Sequence, residues 1–466
     1  APAGSCQAGS GHDSGAQLMR YLSTRGDPDR PPFATVLLEG PAPDGGLYVP
    51  ESWPPLTVAA TYPLTVAATL TPFVAPDPLA RDLGGLAEAA FAKFRDPEVA
   101  PLRDMGEGRF LLELHWGPTL AFKDHALQML GRLFDQVLAR QGRQVTVLGA
   151  TSGDTGSAAI AACSGRSNIN VVILFPEGRV SEFQRRQMTT VKDQNVKAVA
   201  VAGTFDDCQD LVKQAFADPS LGQDLVAVNS INFARIAAQA AYYLWGSSQV
   251  AAPEVDFAVP TGNFGNVFSG LVARKGGARI GRLIVANNSN HGLFDLAGRG
   301  ILRLGDVDQT LSPSMDVGIP SNLERYLFLL AGGDSLRVTT WQMELRTKGE
   351  IRLPPELLSK FQSDFNSDWS DDSETTETIK QVYEEFGVLV DPHTAVGWQA
   401  GVRQKRDGIP MITLATADPV KFSPAVTAAT GATPPLPPGF EGVLTAAERD
   451  QRIPNDYEAL ASLLSR

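Results

Sequence analysis

A lysine stands in an apolar setting within the stretch ELHWGPTLAFKDHALQ. Lys123 follows the pair Ala121–Phe122 and begins a pattern of apolar residues typical of an amphipathic helix. A lysine with apolar neighbours either extends its ammonium group to water or, when buried, loses proton affinity. Because a lysine without its proton is a nucleophilic amine, Lys123 is the first candidate for covalent chemistry.

Three other stretches place small polar residues where an apolar run ends and a helical pattern begins. They are PTGNFGN (260–266), ATSGDTG (150–156) and AVNSINFAR (227–235). Glycines in such a turn let several N–H groups point at one spot, and the helix that follows adds its positive N-terminal end. We therefore expect the first turn to hold a phosphate, the second a carboxylate and the third a dianion.

Each of these turns also has an ordinary interpretation. The first is a glycine-rich strand-to-helix turn without the P-loop or GxGxxG pattern, which alone is weak evidence for an anion site. In the second, Ser152 or Asp154 could simply cap a helix. In the third, Asn229 and Ser230 could end a strand and Arg235 could be a surface residue. Only the combination with Lys123 favours a common site.

From about Val145 onward the chain alternates short apolar runs with helical stretches. The runs predicted as buried strands are VTVLGA, NVVILFP, VKAVAVAG, DLVAVNS, VDFAVPTG, IGRLIVANN and MITLATAD. Such runs separated by helices indicate a parallel sheet covered on both faces, which is an α/β fold. Because ligands in these folds bind at the carboxyl ends of the strands, we expect the turns to meet there. The acidic segment Asp364–Glu377 is predicted as a solvated loop.

The pattern divides the chain into five parts. We predict a disordered tail over 1–18, an N-terminal subdomain over 19–100, a large domain over 101–144 plus 253–434, a small substrate-binding domain over 145–252, and a C-terminal linker and helix over 435–466.

Charge and composition exclude several classes of function. The formal net charge of the 466 residues is −12, which argues against nucleic acid or an anionic membrane as a partner. No apolar run has the roughly 18 residues of a membrane span. The three cysteines form no CxxC pair and the five histidines are scattered, so we expect a reducing, cytoplasmic compartment and no metal.

Five motifs resemble those of the threonine synthase family, in its longer microbial form. They are HWGPTLAFKD, ATSGDTGSAA, NSINFAR, PTGNFGN and PHTAVG, in this order along the chain. The resemblance implies fold-type II, the tryptophan synthase β-like kind of pyridoxal-phosphate (PLP) enzyme. That fold has two wound parallel-sheet domains, here with an N-terminal α+β subdomain. An aldehyde cofactor with a phosphate handle also suits a neutral lysine beside anion-binding turns.

The resemblance assigns a role to each candidate residue. Lys123 would form the Schiff base with the cofactor and then act as the general base. The cofactor phosphate would be bound by the backbone amides of Gly262, Asn263, Phe264, Gly265 and Asn266. Thr416 would meet the pyridine nitrogen. The substrate carboxylate and the ring hydroxyl of the cofactor would contact Thr151, Ser152, Asp154 and Thr155. The substrate phosphate would be held by Asn229, Ser230 and Arg235.

The implied reaction converts O-phospho-L-homoserine and water into L-threonine and phosphate. Phosphate leaves the γ-carbon and water adds at the β-carbon. In the C-terminal stretch ADPVKF the sequence departs from the family, which often has histidine where Asp418 stands. That change puts the electronic details of the site in doubt, but not the cofactor. Lys421 follows, either to hold an anion or as a surface residue. The chain is expected to be a monomer or a homodimer.

Other functions remain open at this point. A serine or threonine dehydratase, a cysteine synthase or a phosphoamino-acid lyase of the same fold type would share the lysine and the glycine turn. A sensor on the same scaffold would bind the cofactor without turnover. A Rossmann-like nucleotide-binding protein would need GxGxxG followed by an acidic residue, and this pattern is absent.

Overall fold

The computed structural model describes residues 18–221, 224–227 and 230–465. Residues 1–17 of the predicted tail lie outside this part of the chain. The strands are β1 Tyr21–Ser23, β2 Tyr48–Pro50, β3 Leu102–Asp104, β4 Arg109–Glu113, β5 Val145–Ala150, β6 Ile169–Pro176, β7 Val196–Ala202, β8 Leu225–Ala227, β9 Val255–Pro260, β10 Ile280–Asn287, β11 Ile301–Arg303, β12 Glu350–Arg352, β13 Phe365–Trp369, β14 Met411–Ala415 and β15 Asp450–Pro454.

Helices connect these strands and cover both sheets. They are α1 Phe33–Glu39, α2 Tyr62–Val74, α3 Leu83–Phe91, α4 Lys123–Gln141, α5 Asp154–Cys163, α6 Glu182–Thr189, α7 Phe205–Ala217, α8 Phe233–Gln249, α9 Gly265–Lys275, α10 Gly292–Arg299, α11 Leu323–Leu330, α12 Ser335–Lys348, α13 Pro355–Asp364, α14 Asp372–Phe386, α15 Pro392–Gln404, α16 Ser423–Thr430, α17 Glu441–Thr445 and α18 Tyr457–Leu464. No described helix is long and apolar enough to cross a membrane.

The larger sheet has the strand order β13-β10-β9-β14-β4-β3. Its strands are parallel except β3, which runs antiparallel to β4 at one edge. Strand β9 is buried along its whole length, as expected of a strand with helices on both faces. The carboxyl ends of the neighbouring strands β9 and β14 therefore open at the same edge of the sheet, where the predicted phosphate turn and Thr416 follow.

The smaller sheet has the order β15-β7-β6-β5-β8, and all its neighbours are parallel. Strands β5 and β8 lie side by side, so the turns that follow them open at one edge. The expected α/β architecture with two parallel-sheet units is confirmed. The strands predicted from apolar runs correspond to β5–β10 and β14.

Three segments differ from the sequence-based expectation. The acidic stretch was expected as a loop, but Phe365–Trp369 forms edge strand β13 and pairs with β10, whose apolar side chains supply the packing that the acidic sequence lacks. Asp450–Pro454, inside the predicted C-terminal linker, forms β15 and extends the smaller sheet beside β7. Helix α8, assigned to the small domain by its place in the chain, packs mainly against α9, α2 and α4.

Candidate active site

Lys123 is the first residue of α4, and its side chain is buried where the two sheets meet. Its Nζ lies 3.2 Å from Oδ2 of Asp154 and 5.0 Å from the ring centre of Phe122. Burial lowers the pKa of Lys123; Asp154 raises it in part, and the charges of Lys421 and Arg235 lower it again. The net pKa lies below the ordinary value of a lysine, as a nucleophilic amine requires.

The carboxylate of Asp154 contacts side chains from several elements of the fold. Besides Lys123, Oδ2 accepts a hydrogen bond from Ser314 Oγ at 3.3 Å. Oδ1 accepts one from Gln184 Nε2 at 2.7 Å and lies 2.6 Å from Lys421 Nζ. Burial by itself would raise the pKa of Asp154, but the two lysines outweigh it and hold that pKa well below the ordinary value. The carboxylate is therefore ionised in the folded protein.

The predicted phosphate turn follows β9 and allows a close approach of the backbone. A Cβ at Gly262 would lie 2.4 Å from the carbonyl oxygen of Ser314, so a larger residue does not fit without movement. The carbonyl of Asn263 accepts hydrogen bonds from N and Nδ2 of Asn322, both at 3.1 Å. Phe264 has a left-handed backbone with φ +63°. Such a turn brings successive N–H groups to one side, where they form an anion-binding concavity.

The side chain of Asn266 anchors the start of α9 in the core. Its Oδ1 accepts hydrogen bonds from the hydroxyl groups of Tyr242, at 2.6 Å, and Tyr243, at 2.8 Å. The first amides of a helix have no carbonyl partner within that helix. The backbone amides around Gly265 and Asn266 are therefore available to receive an anion, while Oδ1 of Asn266 is engaged by the two tyrosines.

The turn after β5 is closed by a threonine. Oγ1 of Thr151 accepts hydrogen bonds from the amides of Gly153 at 3.0 Å and Gly156 at 2.9 Å. Gly153 is the N-cap of α5, and the first-turn amide of Gly156 is satisfied by Thr151, so the interpretation of Ser152 or Asp154 as an ordinary cap is wrong. Ser152 is exposed and Thr155 is half-buried. The turn thus presents a polar surface beside Asp154.

Arg235 lies in the first turn of α8, and the surface interpretation of this residue is wrong. Its side chain is buried, and its Nε and Nη1 have no hydrogen-bond partner among residues 18–221, 224–227 and 230–465. Burial lowers its pKa to about 10. Ser230 is half-buried, and its carbonyl accepts from Asn322 Nδ2 at 3.1 Å. Asn229 lies outside the described residues.

Thr416 follows β14 and lies beside the start of α4. Its carbonyl accepts a hydrogen bond from the amide of Phe122 at 2.8 Å, and its own amide donates to Thr394 Oγ1 at 3.2 Å. Thr416 is buried. The first of these bonds holds the backbone of Thr416 against Phe122, the residue before Lys123.

Asp418 caps the short 3₁₀-helix Pro419–Phe422, since its Oδ1 accepts from the amide of Val420 at 3.0 Å. Its Oδ2 lies 3.7 Å from Nη2 of Arg95. Lys421 is fully buried, so its interpretation as a surface residue is wrong. Asp418, which stands where the family often has histidine, therefore caps this 3₁₀-helix and contacts Arg95. The buried cation of the same segment is Lys421.

Some residues of the site were missed by sequence reasoning. The amide of Ser314 donates to Nε2 of His393 at 3.1 Å, and Nδ1 of that histidine lies 2.7 Å from Oδ1 of Asp391. This chain of contacts holds Ser314 over both Gly262 and Asp154. The motif PHTAVG contained His393, but nothing in the sequence indicated its partner, which is 79 residues away.

The chain matches three known protein-family profiles. A sequence profile described as pyridoxal-phosphate dependent enzyme matches residues 105–344. Two further profiles, threonine synthase N terminus and threonine synthase, C-terminal, match residues 20–91 and 394–464. The matched region of the first profile contains Lys123, Asp154, Arg235 and the glycine turn. The fold and the site therefore define a pyridoxal-phosphate-dependent enzyme.

Individual relatives define the family more narrowly. The chain is 43% identical to threonine synthase of Pseudomonas aeruginosa over 96% of this chain and 98% of that protein. The crystal structure of PLP-bound threonine synthase from Brucella melitensis superposes with a TM-score of 0.93 at 41% identity, covering 96% of this chain and 98% of that one. Threonine synthase from yeast gives a TM-score of 0.91 at 36% identity, covering 97% and 99%. The chain belongs to the threonine synthase family, as the resemblance predicted, and its fold class and cofactor are confirmed.

The residues present fit pyridoxal phosphate. A buried lysine of lowered pKa suits attack on the aldehyde. The left-handed backbone of Phe264 turns successive amides of the glycine turn toward one side, which suits the phosphate of the cofactor. The residue-by-residue roles that the resemblance assigned stay predictions.

Proposed function

We propose that this enzyme converts O-phospho-L-homoserine and water into L-threonine and phosphate. The observation that supports the substrate is Arg235, a buried guanidinium group with two nitrogen atoms that have no partner among the described residues. An unpaired buried cation is costly, and it becomes favourable when an anion of fitting geometry binds. Its positive charge also lowers the pKa of Lys123, so the two groups lie close enough to act on one substrate. A phosphate ester is the substrate class that needs both.

Bound pyridoxal phosphate acts as an electron sink that makes protons on nearby substrate carbons acidic. Lys123, with its lowered pKa, moves protons at the α-carbon of the substrate. Thr151, Ser152 and Thr155 orient the substrate carboxylate at the N-terminus of α5. Arg235 holds the phosphate of the substrate before and after the bond to the γ-carbon breaks, together with Ser230 and Asn229.

The cofactor roles are proposed in the same way. Lys123 binds the cofactor covalently, and the backbone amides of 262–266 bind its phosphate. Thr416 contacts its ring nitrogen and Asp154 its ring hydroxyl. We propose the predicted domain boundaries with one change. The large domain covers 101–144 plus 253–434 and includes α8, which packs mainly against α9, α2 and α4, and the small domain covers the rest of 145–252.

The experiment is an assay of both products with O-phospho-L-homoserine, for the wild type and for Arg235→Met and Arg235→Lys. We expect threonine and phosphate in equal amounts from the wild type. Loss of a buried charged hydrogen-bonding partner costs about 2–5 kcal/mol, so kcat/KM of Arg235→Met should fall on the order of 100-fold or more. The lysine variant should retain part of the activity, because it keeps the charge but not the two parallel donors.

Different products would identify the alternatives. Ammonia and a keto acid in place of threonine would assign the chain to the lyases of this fold type. A cofactor spectrum without any turnover would indicate a sensor. Unchanged kcat/KM in Arg235→Met would refute the assignment of this arginine to the substrate phosphate.

The cellular setting is proposed as cytoplasmic, with the enzyme a monomer or a homodimer. Cys163 and Cys208 are free and buried, and burial raises the pKa of each thiol to about 12. Unpaired thiols of this kind are consistent with a reducing compartment. Light scattering at several concentrations would measure the oligomeric state.

A further inference from the structure

Lys421 is a second lysine buried in the active site, 298 positions after Lys123 in the chain. Its side chain is 0% exposed. Its Nζ lies 2.6 Å from Oδ1 of Asp154 and donates a hydrogen bond to the carbonyl of Thr119 at 2.8 Å. Both contacts are inside the protein, and one of them reaches the carboxylate that also contacts Lys123. The proposed reaction assigns no role to this lysine.

The carboxylate of Asp154 is shared by two cations through its two oxygen atoms. Lys123 contacts Oδ2 and Lys421 contacts Oδ1. A carboxylate that is buried and unpaired is strongly unfavourable. If Lys123 were the sole counter-ion of Asp154, it could not lose its proton without leaving that charge alone. Lys123 must nevertheless lose its proton to attack an aldehyde.

We propose that Lys421 is a positioning residue: it is the permanent counter-ion of Asp154, and it thereby allows Lys123 to become neutral. Lys421 suits this role because it is held on both sides, by Asp154 and by the carbonyl of Thr119. Lys123, in contrast, has a single oppositely charged partner, and its side chain is 10% exposed. The inference rests on the proposed role of Lys123 as the residue that captures the cofactor.

The other charged groups near this pair are Arg235 and Asp124. Arg235, from α8, adds a second positive charge that disfavours the ammonium form of Lys123. Asp124, next to Lys123 in the chain, is buried and accepts hydrogen bonds from the amide and the hydroxyl group of Thr119. The charge of Lys421 lowers the pKa of Asp124, so that pKa should rise in Lys421→Met, whereas a variant that keeps the charge at position 421 leaves both groups as they are in the wild type.

The experiment measures covalent capture of pyridoxal phosphate by the apoprotein as a function of pH, from the rise of visible absorption. Capture joins the amine to the aldehyde carbon with release of one water, and its rate follows the neutral fraction of Lys123. In Lys421→Met, Lys123 becomes the sole counter-ion of Asp154 and should retain its proton to higher pH. We expect the profile to move up by about one pH unit or more, which is about tenfold slower capture at neutral pH.

Two further variants make the result decisive. Lys421→Arg keeps the charge and should capture with the profile of the wild type. The double variant Lys421→Met, Asp154→Asn removes the charge that needs a counter-ion. Because Asp154 is also proposed to contact the cofactor, the absolute rate of capture by this variant should fall, but the position of its pH profile should return to that of the wild type or below. A uniform loss of rate in Lys421→Met without a shift in pH would overturn the proposal. So would a shifted profile that Asp154→Asn does not restore.

Folding and the identity of the capturing residue are checked separately. If Lys421→Met does not fold, the double variant should fold, because no uncompensated carboxylate remains in it. Failure of both to fold would assign Lys421 to packing and reject the proposal. In Lys123→Ala, capture should be absent. Capture by that variant would instead refute the proposed role of Lys123, which distinguishes the two failures.

Discussion

Replacing Arg235 by methionine should leave the protein without phosphate at least as stable as the wild type, which is unusual for a buried arginine. Methionine retains the aliphatic volume but not the charge. Burial lowers the pKa of Arg235 from the ordinary value of an arginine to about 10, which corresponds to about 3 kcal/mol of unfavourable free energy for the charged form. Because the folded pKa is the lower one, this cost is fully present at neutral pH and disappears only as pH rises above about 10.

Phosphate should reduce or remove this difference in stability. An anion that binds the folded state alone at 100 times its Kd stabilises it by about 2.7 kcal/mol. Inorganic phosphate should therefore raise the melting temperature of the wild type and leave that of Arg235→Met nearly unchanged. The measurement is thermal denaturation of protein already loaded with pyridoxal phosphate, so that the cofactor site is filled. Potassium chloride at equal ionic strength serves as the reference.

Arg325 is a matched control, because it is also buried but its donors are engaged. Its Nε donates to the carbonyl of Tyr48 at 2.8 Å, and its other nitrogens donate to Asn322 Oδ1 and to the carbonyl of Ile231. Arg325→Met leaves these acceptors buried without a donor and should destabilise the fold by about 3 kcal/mol or more. If Arg235→Met is destabilised to the same degree and its melting temperature still rises with phosphate, Arg235 stabilises the fold and does not bind phosphate.

Three further predictions concern single residues of the site. Lys123→Ala and Lys123→Arg should both abolish turnover in the product assay, the second because arginine stays protonated; measurable turnover in the arginine variant would contradict this. Gly262→Ala should weaken cofactor binding, because its Cβ would lie 2.4 Å from the carbonyl oxygen of Ser314 and the turn would have to move. Equilibrium titration of the apoprotein with pyridoxal phosphate measures this, and an unchanged Kd would contradict it. Burial raises the pKa of Asp124 to about 6, so the folded protein holds a proton there that the unfolded chain releases near pH 4. The free energy of unfolding of the wild type, relative to that of Asp124→Asn, should therefore fall as pH rises from about 4 to 6. Denaturant unfolding of both proteins across this range measures the difference, and a difference that does not change with pH would contradict the prediction.

Much of the fold could be predicted because its core strands carry their own signal. Strands such as β5 and β9 are continuous apolar runs, which is what burial on both faces of a parallel sheet requires. Edge strands lack that signal. Phe365–Trp369 lies in an acidic stretch, and it became a strand because β10 offered an unpaired edge and an apolar neighbour.

The types of the site residues were visible in the sequence, but their partners were not. Lys123, the glycine turn and Arg235 were identified from residue type and local spacing, since turns and helix starts are local structures. The contacts that tune them join distant parts of the chain. Ser314 is 160 positions from Asp154, and Lys421 is 302 positions from Thr119.

The sequence by itself determined the class of chemistry, because an amine beside anion-binding turns depends on local residue types. Only the tertiary structure decided the protonation states that this chemistry needs. Whether Lys123 loses its proton depends on burial and on the sum of nearby charges. Those charges come from α5, α8 and the segment after β14, which meet only when both sheets have folded and packed together.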